Sequence, residues 1–143
     1  MESNENDREL GFLLSDVARL LRRDFDRRAQ KLGLTRAQWS VLARLSRQEG
    51  VKQAELADVL EVQPITLARQ LDRLEAGGWV RRCSDPEDRR ARRLYLTEQA
   101  LPTLHELYRL ARETRAVALR GVDLETRRTL RAALARLKEN LTA

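Results

Sequence analysis

Four polar side chains recur at helical spacing just after Pro64: Thr66, Arg69, Gln70 and Arg73. Because residues three and four positions apart share one face of an α-helix, these side chains are predicted to form a single polar face. Arginine can pair with guanine through two hydrogen bonds, glutamine can pair with adenine in the same way, and threonine can contact bases or phosphates. The residue types and their spacing therefore favour a helix that contacts base edges in the major groove of DNA.

The segments around this helix support that interpretation, although an amphipathic helix taken alone is more often an ordinary surface helix. A short helix predicted for 53–60 precedes it after a turn of three residues, 61–63, and Gly77-Gly78 ends it. Such a pair forms the helix-turn-helix unit whose second helix enters the major groove. The residues predicted to point inwards are Ala54, Leu56, Ala57, Leu60, Leu67, Ala68, Leu71 and Leu74.

A charged connection between two predicted strands, 79–83 and 92–97, follows the helix-turn-helix. This connection, residues 84–91, is called the wing below, and it begins with a turn-forming Asp-Pro pair. From 81 to 93 the chain holds six arginines against three carboxylates. Such arginines can enter the minor groove, while neighbouring carboxylates hold a guanidinium by bidentate pairing. The alternative is a solvated charged turn.

The segments outside this unit are predicted to be helical. Apolar residues recur every three or four positions from about 8 to 31, and Thr35 and Gln38 form a capping-box pattern at the start of the second helix. The apolar faces of the outer helices need a partner, which favours a homodimer over a monomeric core. A two-fold dimer would place two reading helices about one turn of DNA apart, which suits a palindromic site.

The C-terminal third is predicted to hold two further helices. Thr97 is expected to cap the fifth helix, which runs to about residue 120. Pro102 is expected to remove one hydrogen bond from this helix and to bend it near its start. Asp123 is expected to cap the sixth. The expected fold class is therefore mainly α (α+β), a winged helix-turn-helix with long terminal helices for dimerisation.

The composition agrees with a nucleic-acid partner and excludes several other classes. The net charge is +6, and only three of the 28 basic residues are lysines. With one cysteine, Cys83, and one histidine, His105, neither a thiolate cluster nor a multi-histidine metal site can form. We expect no cofactor, no metal and no enzymatic activity, because the sequence lacks a phosphate-binding glycine loop and a nucleophile motif. The absence of a long apolar run and of a signal peptide predicts a soluble, cytoplasmic, nucleoid-associated protein.

Three stretches of the chain resemble the multiple-antibiotic-resistance regulator (MarR) family, most closely its SlyA branch. They are SDVARLLRRDFDRRAQKLGLTRAQWSVL, ITLARQLDRLEAGGWVRR and DPEDRRARRLYLTEQALP. The resemblance covers nearly the full length, and its most specific part is the wing pattern followed by Leu-Thr. It implies a bacterial transcription regulator, a roughly triangular homodimer of single MarR-type domains (1–143), with a DNA-binding lobe at 34–98 and dimerisation helices at 8–32 and 99–143.

The resemblance also assigns roles to particular residues. Arg90 matches the wing-tip arginine that enters the minor groove, Asp88 matches the acid that orients it, and Arg89 and Arg92 match phosphate contacts. The residues implied to lie in or at the entrance of the major groove are Pro64, Ile65, Thr66, Arg69, Gln70 and Arg73.

Family members often bind small aromatic acids such as salicylate in a cleft between the dimer base and the DNA lobe. Arg19, Arg22 and Trp39 match positions near that cleft, where a guanidinium would pair with a carboxylate and an indole would stack on a ring. The alternative for Trp39 is a simple core residue, and we favour it.

The sequence departs from the family pattern at the helix-turn-helix. Glu61 stands where glycine is usual, and Ile65 stands at the usual proline. No cysteine lies in the first helix, which argues against the peroxide-sensing branch, and Cys83 is expected to be a small buried apolar residue. No His/Asp/Glu cluster is present, which argues against the metal-responsive branch.

Two other functions stay open at this point. One is an architectural or anti-silencing protein that binds DNA through groove shape with little base specificity. The other is a protein–protein module in which the winged helix binds no DNA.

Overall fold

Within residues 2–142, which the computed structural model describes, the chain forms six α-helices and one antiparallel pair of strands. The fold is mainly helical, as predicted, and the two strands follow the helix-turn-helix. The helices are α1 (Glu2–Ala29), α2 (Arg36–Arg47), α3 (Gln53–Leu60), α4 (Pro64–Ala76), α5 (Leu101–Ala118) and α6 (Leu124–Thr142). The strands are β1 (Val80–Ser84) and β2 (Arg92–Leu96). None of the described helices is long and apolar enough to cross a membrane.

Two helix starts form as their capping residues predict. The Thr35 side chain accepts the backbone N–H of Gln38 at 3.2 Å, and the Gln38 side chain accepts the backbone N–H of Thr35 at 3.0 Å. The Asp123 carboxylate accepts the backbone N–H of Thr126 at 2.8 Å and starts α6. Each cap satisfies amides that have no partner inside the helix, so these helix starts can be predicted from the sequence.

Other boundaries differ from the prediction. The first helix begins at Glu2 and not near residue 8, because the apolar period that predicts it starts only at Leu10 and the polar residues before it carry no periodic signal. Thr97 does not cap α5; a single 3₁₀ turn intervenes, and the Thr97 hydroxyl donates to the Gly78 carbonyl. Pro102 lies in the first turn of α5, where no amide has an intrahelical partner. It therefore costs α5 no hydrogen bond, contrary to the prediction.

A shared core joins α2, α3 and α4 to the strands. Val80 pairs with Leu96, and Ser84 pairs with Arg92 at the other end of the ladder. The fully buried side chains of this core are Leu42, Leu45, Leu56, Leu67, Leu71, Leu74, Val41, Val80 and Leu94. Burying each leucine contributes about 1.5–3 kcal/mol relative to its exposure. Ala54 is exposed and not inward-pointing as predicted, because it lies on the face of α3 that borders the wing.

Helices α1 and α5 pack against each other, contribute Ala29, Leu104 and Leu107 to the same core, and are joined by a polar cluster around Asp24. Its carboxylate accepts hydrogen bonds from Arg28 at 2.8 Å, from Arg27 at 2.8 Å and from the buried Thr114 hydroxyl at 2.7 Å. Arg28 in turn donates to Glu113 on α5 at 2.7 Å. The Arg28 and Thr114 hydrogen bonds hold the pKa of Asp24 at about 2, below its ordinary value of 3.8. A carboxylate held this way stabilises the fold only while it is ionised.

Replacing Asp24 should therefore weaken the fold in a pH-dependent way. Because the pKa of Asp24 is lowered on folding, its stabilisation is present above about pH 4 and is lost as the pH falls towards about 2. We expect Asp24→Asn to lower the free energy of unfolding by about 1–2 kcal/mol at pH 7, measured by urea denaturation, with the difference narrowing towards pH 3. The control Asp16→Asn, at an exposed pair with Arg19, should change it by less than about 0.5 kcal/mol. An equal effect of Asp24→Asn at both pH values would contradict the prediction.

Candidate nucleic-acid interface

Helix α4 buries one face and leaves the predicted polar face at the surface. Its buried residues are Leu67, Leu71 and Leu74. Of the four polar residues, Thr66, Arg69 and Arg73 are exposed, and Gln70 is half-buried. The two residues at the start of the helix are also exposed; Ile65 has 62% of its surface accessible. The face has the residue types and the access that contact with base edges requires.

The turn between α3 and α4 depends on an unusual backbone conformation at Glu61. This residue has φ 54° and ψ 43°, in the left-handed region that glycine adopts most readily. Its N–H donates to the carbonyl of Asp58 at 3.1 Å, and the N–H of Val62 donates to Ala57 at 3.1 Å. These bonds close the end of α3. Glu61 thus keeps the turn geometry that glycine would give, at a cost of roughly 1–2 kcal/mol.

A salt bridge cluster holds β1 against α4. Arg82 on β1 donates to Asp72 at 2.6 Å and to Glu75 at 2.9 Å, and its backbone N–H donates to the Glu75 carboxylate at 2.9 Å. The backbone N–H and the guanidinium of Arg82 hold the pKa of Glu75 below its usual range. The cluster neutralises two acids on the helix that would otherwise repel a phosphate backbone. This pairing could not be predicted from the sequence, because Glu75 and Asp72 lie seven and ten positions before Arg82 and belong to a different element.

The wing presents exposed arginines at its tip. Arg89, Arg90 and Arg92 are all exposed. Asp88 accepts the backbone N–H of Arg90 at 3.0 Å. Among residues 2–142 no salt bridge joins the Asp88 carboxylate to the Arg90 guanidinium. Asp88 instead shapes the turn that carries Arg90.

A different wing carboxylate pairs with an arginine. Asp85 is 4% exposed; its carboxylate accepts the backbone N–H of Glu87 at 2.9 Å and lies 3.3 Å from Arg93 and 3.9 Å from Lys52. The Glu87 N–H, followed by the charges of Arg93 and Lys52, holds the pKa of Asp85 below its usual range. The Asp-Pro pair predicted only a turn, and Lys52 is too distant in sequence for the partnership to be foreseen.

The tip of the wing and the start of α4 line one groove. The groove has a volume of about 410 Å³. It brings together Pro64, Asp88, Arg90 and Arg92, with Lys52 and Gln53 at the start of α3. Four of the residues predicted to contact DNA therefore border one continuous surface, next to the exposed face of α4.

A second groove of about 910 Å³ lies between α1 and the helix-turn-helix. Two of the three residues predicted for a ligand cleft, Arg22 and Trp39, line it together with Arg36, which the sequence did not suggest. Arg19 does not line it; this side chain lies near Asp16, 3.6 Å away. Gln70 of α4 closes the opposite side of the groove.

Trp39 belongs to the hydrophobic core, as the favoured alternative predicted, and it also borders the groove. It is 8% exposed and packs edge-on against Phe25, with ring centroids 4.6 Å apart. Its indole N–H donates to the Asp26 carboxylate at 2.8 Å. Since that donor is already satisfied, Trp39 has only ring surface to offer a ligand.

Comparisons with known proteins identify the family. The MarR family model matches residues 34–91. A solved structure of MarR is 33% identical, with 93% of this chain and 97% of that chain covered and a TM-score of 0.75. The chain belongs to the MarR family. The crystal structure of the transcriptional regulator PA3341 is similar over 93% of this chain and 98% of that chain, with 38% identity and a TM-score of 0.82.

These matches do not assign the chain to the SlyA branch in particular. The solved structure of the transcriptional regulator SlyA is 29% identical over 94% of this chain and 92% of that chain, with a TM-score of 0.73. MarR and PA3341 match at least as well. The match of this MarR-family chain to SlyA is therefore no stronger than its matches to MarR and PA3341.

Two further features concern Cys83 and the side chains that could bind a metal ion. Cys83 lies on β1 and is half-buried, which is more open than the buried position expected. Within the part of the chain that the structure describes, no group of three or more His, Cys, Asp or Glu side chains is arranged to hold a metal ion.

The strained turn gives a direct test of the helix-turn-helix geometry. We expect Glu61→Gly to raise the free energy of unfolding by about 0.5–1 kcal/mol, because glycine removes the steric cost of the left-handed conformation but gains some unfolded-state entropy. The matched change Glu55→Gly inside α3 should lower it by about 1 kcal/mol. Urea denaturation of both variants measures the difference. Equal destabilisation by the two substitutions would show that Glu61 carries no strain.

Proposed function

We propose that this MarR-family protein is a homodimeric, sequence-specific DNA-binding transcription regulator. The observation that carries the proposal is the shared surface of α4 and the wing, where Pro64 and Arg90 border one groove beside the exposed residues Arg69 and Arg73. In this assignment α4 enters the major groove, and Arg90 enters the adjacent minor groove. Arg89 and Arg92 neutralise phosphates, while Ile65 and Thr66 lie at the entrance of α4.

The dimer is supported by apolar faces that the monomer leaves uncovered. No described residue of α6 is buried, although the helix carries several leucines. Most of the stability of a helix in a protein comes from packing its apolar face, so α6, a helix of 19 residues with no buried side chain, needs a partner. We assign 8–32 and 99–143 to dimerisation and 34–98 to the DNA-binding lobe. The exposed large apolar residues of the outer helices are Leu10, Phe12, Leu13, Leu14, Val17, Leu20, Leu101, Tyr108, Val117, Leu124, Leu130, Leu134 and Leu141.

Substitutions at Arg69 and Arg90 should weaken DNA binding in different ways. Binding sites are first selected from a random DNA pool, and a palindrome is the expected result. Arg69→Ala should then lose roughly tenfold discrimination at one position in each half-site, because a bidentate contact to guanine is removed. Arg90→Ala should weaken binding to all sequences alike. It should also lower the steepness of log affinity against log salt by about one per protomer, because one fewer counterion is released. Fluorescence anisotropy over a salt series measures both.

The control for lost charge is Arg47→Ala, at an exposed residue in the last turn of α2, outside both the proposed DNA-binding surface and the proposed dimerisation segments. It should leave affinity within about twofold, since it lies outside the proposed interface. Equal loss across all sequences for Arg69→Ala would contradict the base-reading role. Selection of no shared sequence would favour the architectural alternative, and no binding at low salt would favour a protein–protein module.

We also propose that a small aromatic carboxylate binds in the groove beside Trp39 and modulates DNA binding. The Arg22 guanidinium would pair with the carboxylate, and the edge of Trp39 would contact the ring. Arg36 is a second cation on the same groove, although it lies 3.4 Å from Asp26. Gln70 links this groove to the face of α4, so an occupant would bear directly on the reading helix. The geometry supports Arg22 and Trp39 more than Arg19.

Two single substitutions test the ligand site. With salicylate as the probe, calorimetric titration of Arg22→Gln should show affinity lowered by about tenfold, because a charge-assisted hydrogen bond is removed. Arg19→Gln, which removes the same charge one turn earlier on α1, should change affinity by less than about twofold. Equal losses for the two variants, or saturable binding that neither affects, would place the carboxylate elsewhere.

A further inference from the structure

The wing depends on a carboxylate that faces inwards. Asp85 is one of only two polar residues that are buried within residues 5–142, the other being Thr114. Its neighbours Glu87 and Asp88 are both exposed. A carboxylate is seldom buried without partners that compensate for its lost hydration. Asp85 therefore has a structural task that the other two wing acids do not share.

The partners of Asp85 come from three separate segments. The Glu87 N–H belongs to the wing, Arg93 belongs to β2, and Lys52 immediately precedes α3. Arg93 also donates to the Gly50 carbonyl at 2.8 Å. One carboxylate thus connects the wing to the segment between α2 and α3.

The backbone around Asp85 strengthens the same connection. Its N–H donates to the Ala91 carbonyl at 3.1 Å and closes the wing at its base. The Gly50 N–H donates to Leu94 at 2.8 Å, and the Leu94 N–H donates to Val51 at 3.0 Å, so the segment before α3 pairs with β2 through an isolated antiparallel bridge. The base of the wing is therefore held from both sides, and only its tip projects.

A projecting loop loses conformational freedom when its tip is placed in a DNA groove. Part of that entropy cost is removed in advance if the free protein already holds the loop in the bound conformation. Arg90 lies five residues beyond Asp85, and its own turn is shaped by Asp88. Asp85 fixes the base of the wing and Asp88 fixes the tip.

We propose that Asp85 is the positioning residue of the wing, which holds Arg90 at the minor groove through Arg93 and Lys52 without itself contacting DNA. The proposal rests on the function proposed above. For the effect of removing this negative charge on DNA affinity, the proposal predicts the opposite of what simple electrostatics predicts. Removing a negative charge beside DNA normally strengthens binding, whereas removing this one should weaken it.

The test compares two substitutions that change the net charge equally. Asp85→Asn and Glu87→Gln each remove one negative charge from the wing, but only the first breaks the buried pairs. We expect Asp85→Asn to weaken binding to the selected DNA site by roughly tenfold. Glu87→Gln should bind as tightly as the wild type or up to about twofold more tightly. Similar or tighter binding by Asp85→Asn would overturn the proposal.

Two further measurements separate positioning from general stability. Amide hydrogen exchange in Asp85→Asn should speed up at residues 86–91 while α2 and α4 keep their wild-type protection; uniform loss of protection would overturn the proposal. In the Arg90→Ala background, Asp85→Asn should weaken binding by less than about twofold, because the minor-groove contact of Arg90 that Asp85 positions is already absent. A full tenfold further loss in that background would show that Asp85 acts by another route.

A substitute is available if Asp85→Asn does not fold. Arg93→Gln breaks the same pair from the half-exposed side and should accelerate exchange over the same residues. Unchanged exchange at 86–91 in this variant would overturn the proposal. The exchange measurement needs no DNA, so failure of the wild type to bind a specific site would refute the proposed function while the connection between Asp85 and the wing is still tested.

Discussion

The interface depends on the burial of one face of α4. Leu67, Leu71 and Leu74 hold the helix in a core shared with α2 and β1, and this burial fixes which side chains remain outside. Because the helical period places Arg69 and Arg73 opposite those leucines, the same packing that stabilises the lobe also presents the polar face. Rotation of α4 about its axis would bury the arginines and expose the leucines, at a cost of several kcal/mol.

Charge is divided between internal pairs and a free surface. Arg82 and Arg93 are engaged by carboxylates within the lobe, at Asp72, Glu75 and Asp85. The wing-tip arginines and those on the outer face of α4 carry no salt bridge within residues 2–142. The acids of the lobe thus serve to join elements, and the remaining positive charge is left for a polyanion. This arrangement explains how a lobe rich in carboxylates can still present a basic face.

The two grooves relate this surface to the rest of the fold. One lies between the wing and the start of α4, and the other lies between α1 and the helix-turn-helix, with Gln70 on its wall. Helix α1 meets α5 through Asp24, and its last turns reach the lobe through Asp26, which accepts the Trp39 indole. The proposed dimer helices are consequently joined to α2 of the lobe by side-chain hydrogen bonds, and the groove proposed for a ligand is lined by residues of α1, α2 and α4.

The sequence by itself determined the local features of this protein. Apolar periods, the Thr35 and Asp123 caps and the glycine stop after α4 predicted the order of the elements, since each depends on residues within four positions of one another. The same periods separated the polar face of α4 from its buried face. The MarR family pattern named the wing arginines. The order of the elements and the two faces of α4 were predicted correctly because helix faces and caps are set by nearby residues.

The tertiary structure decided which distant side chains meet. It paired Asp85 with Arg93 and Lys52, while Asp88 and Arg90 form no salt bridge with each other. It placed Arg22 and Arg36 on one groove and left Arg19 outside it. It exposed Ala54. It also placed Glu61 in the left-handed conformation that the turn requires. None of these follows from spacing, because each depends on how separate elements approach in space and on the core that holds them there.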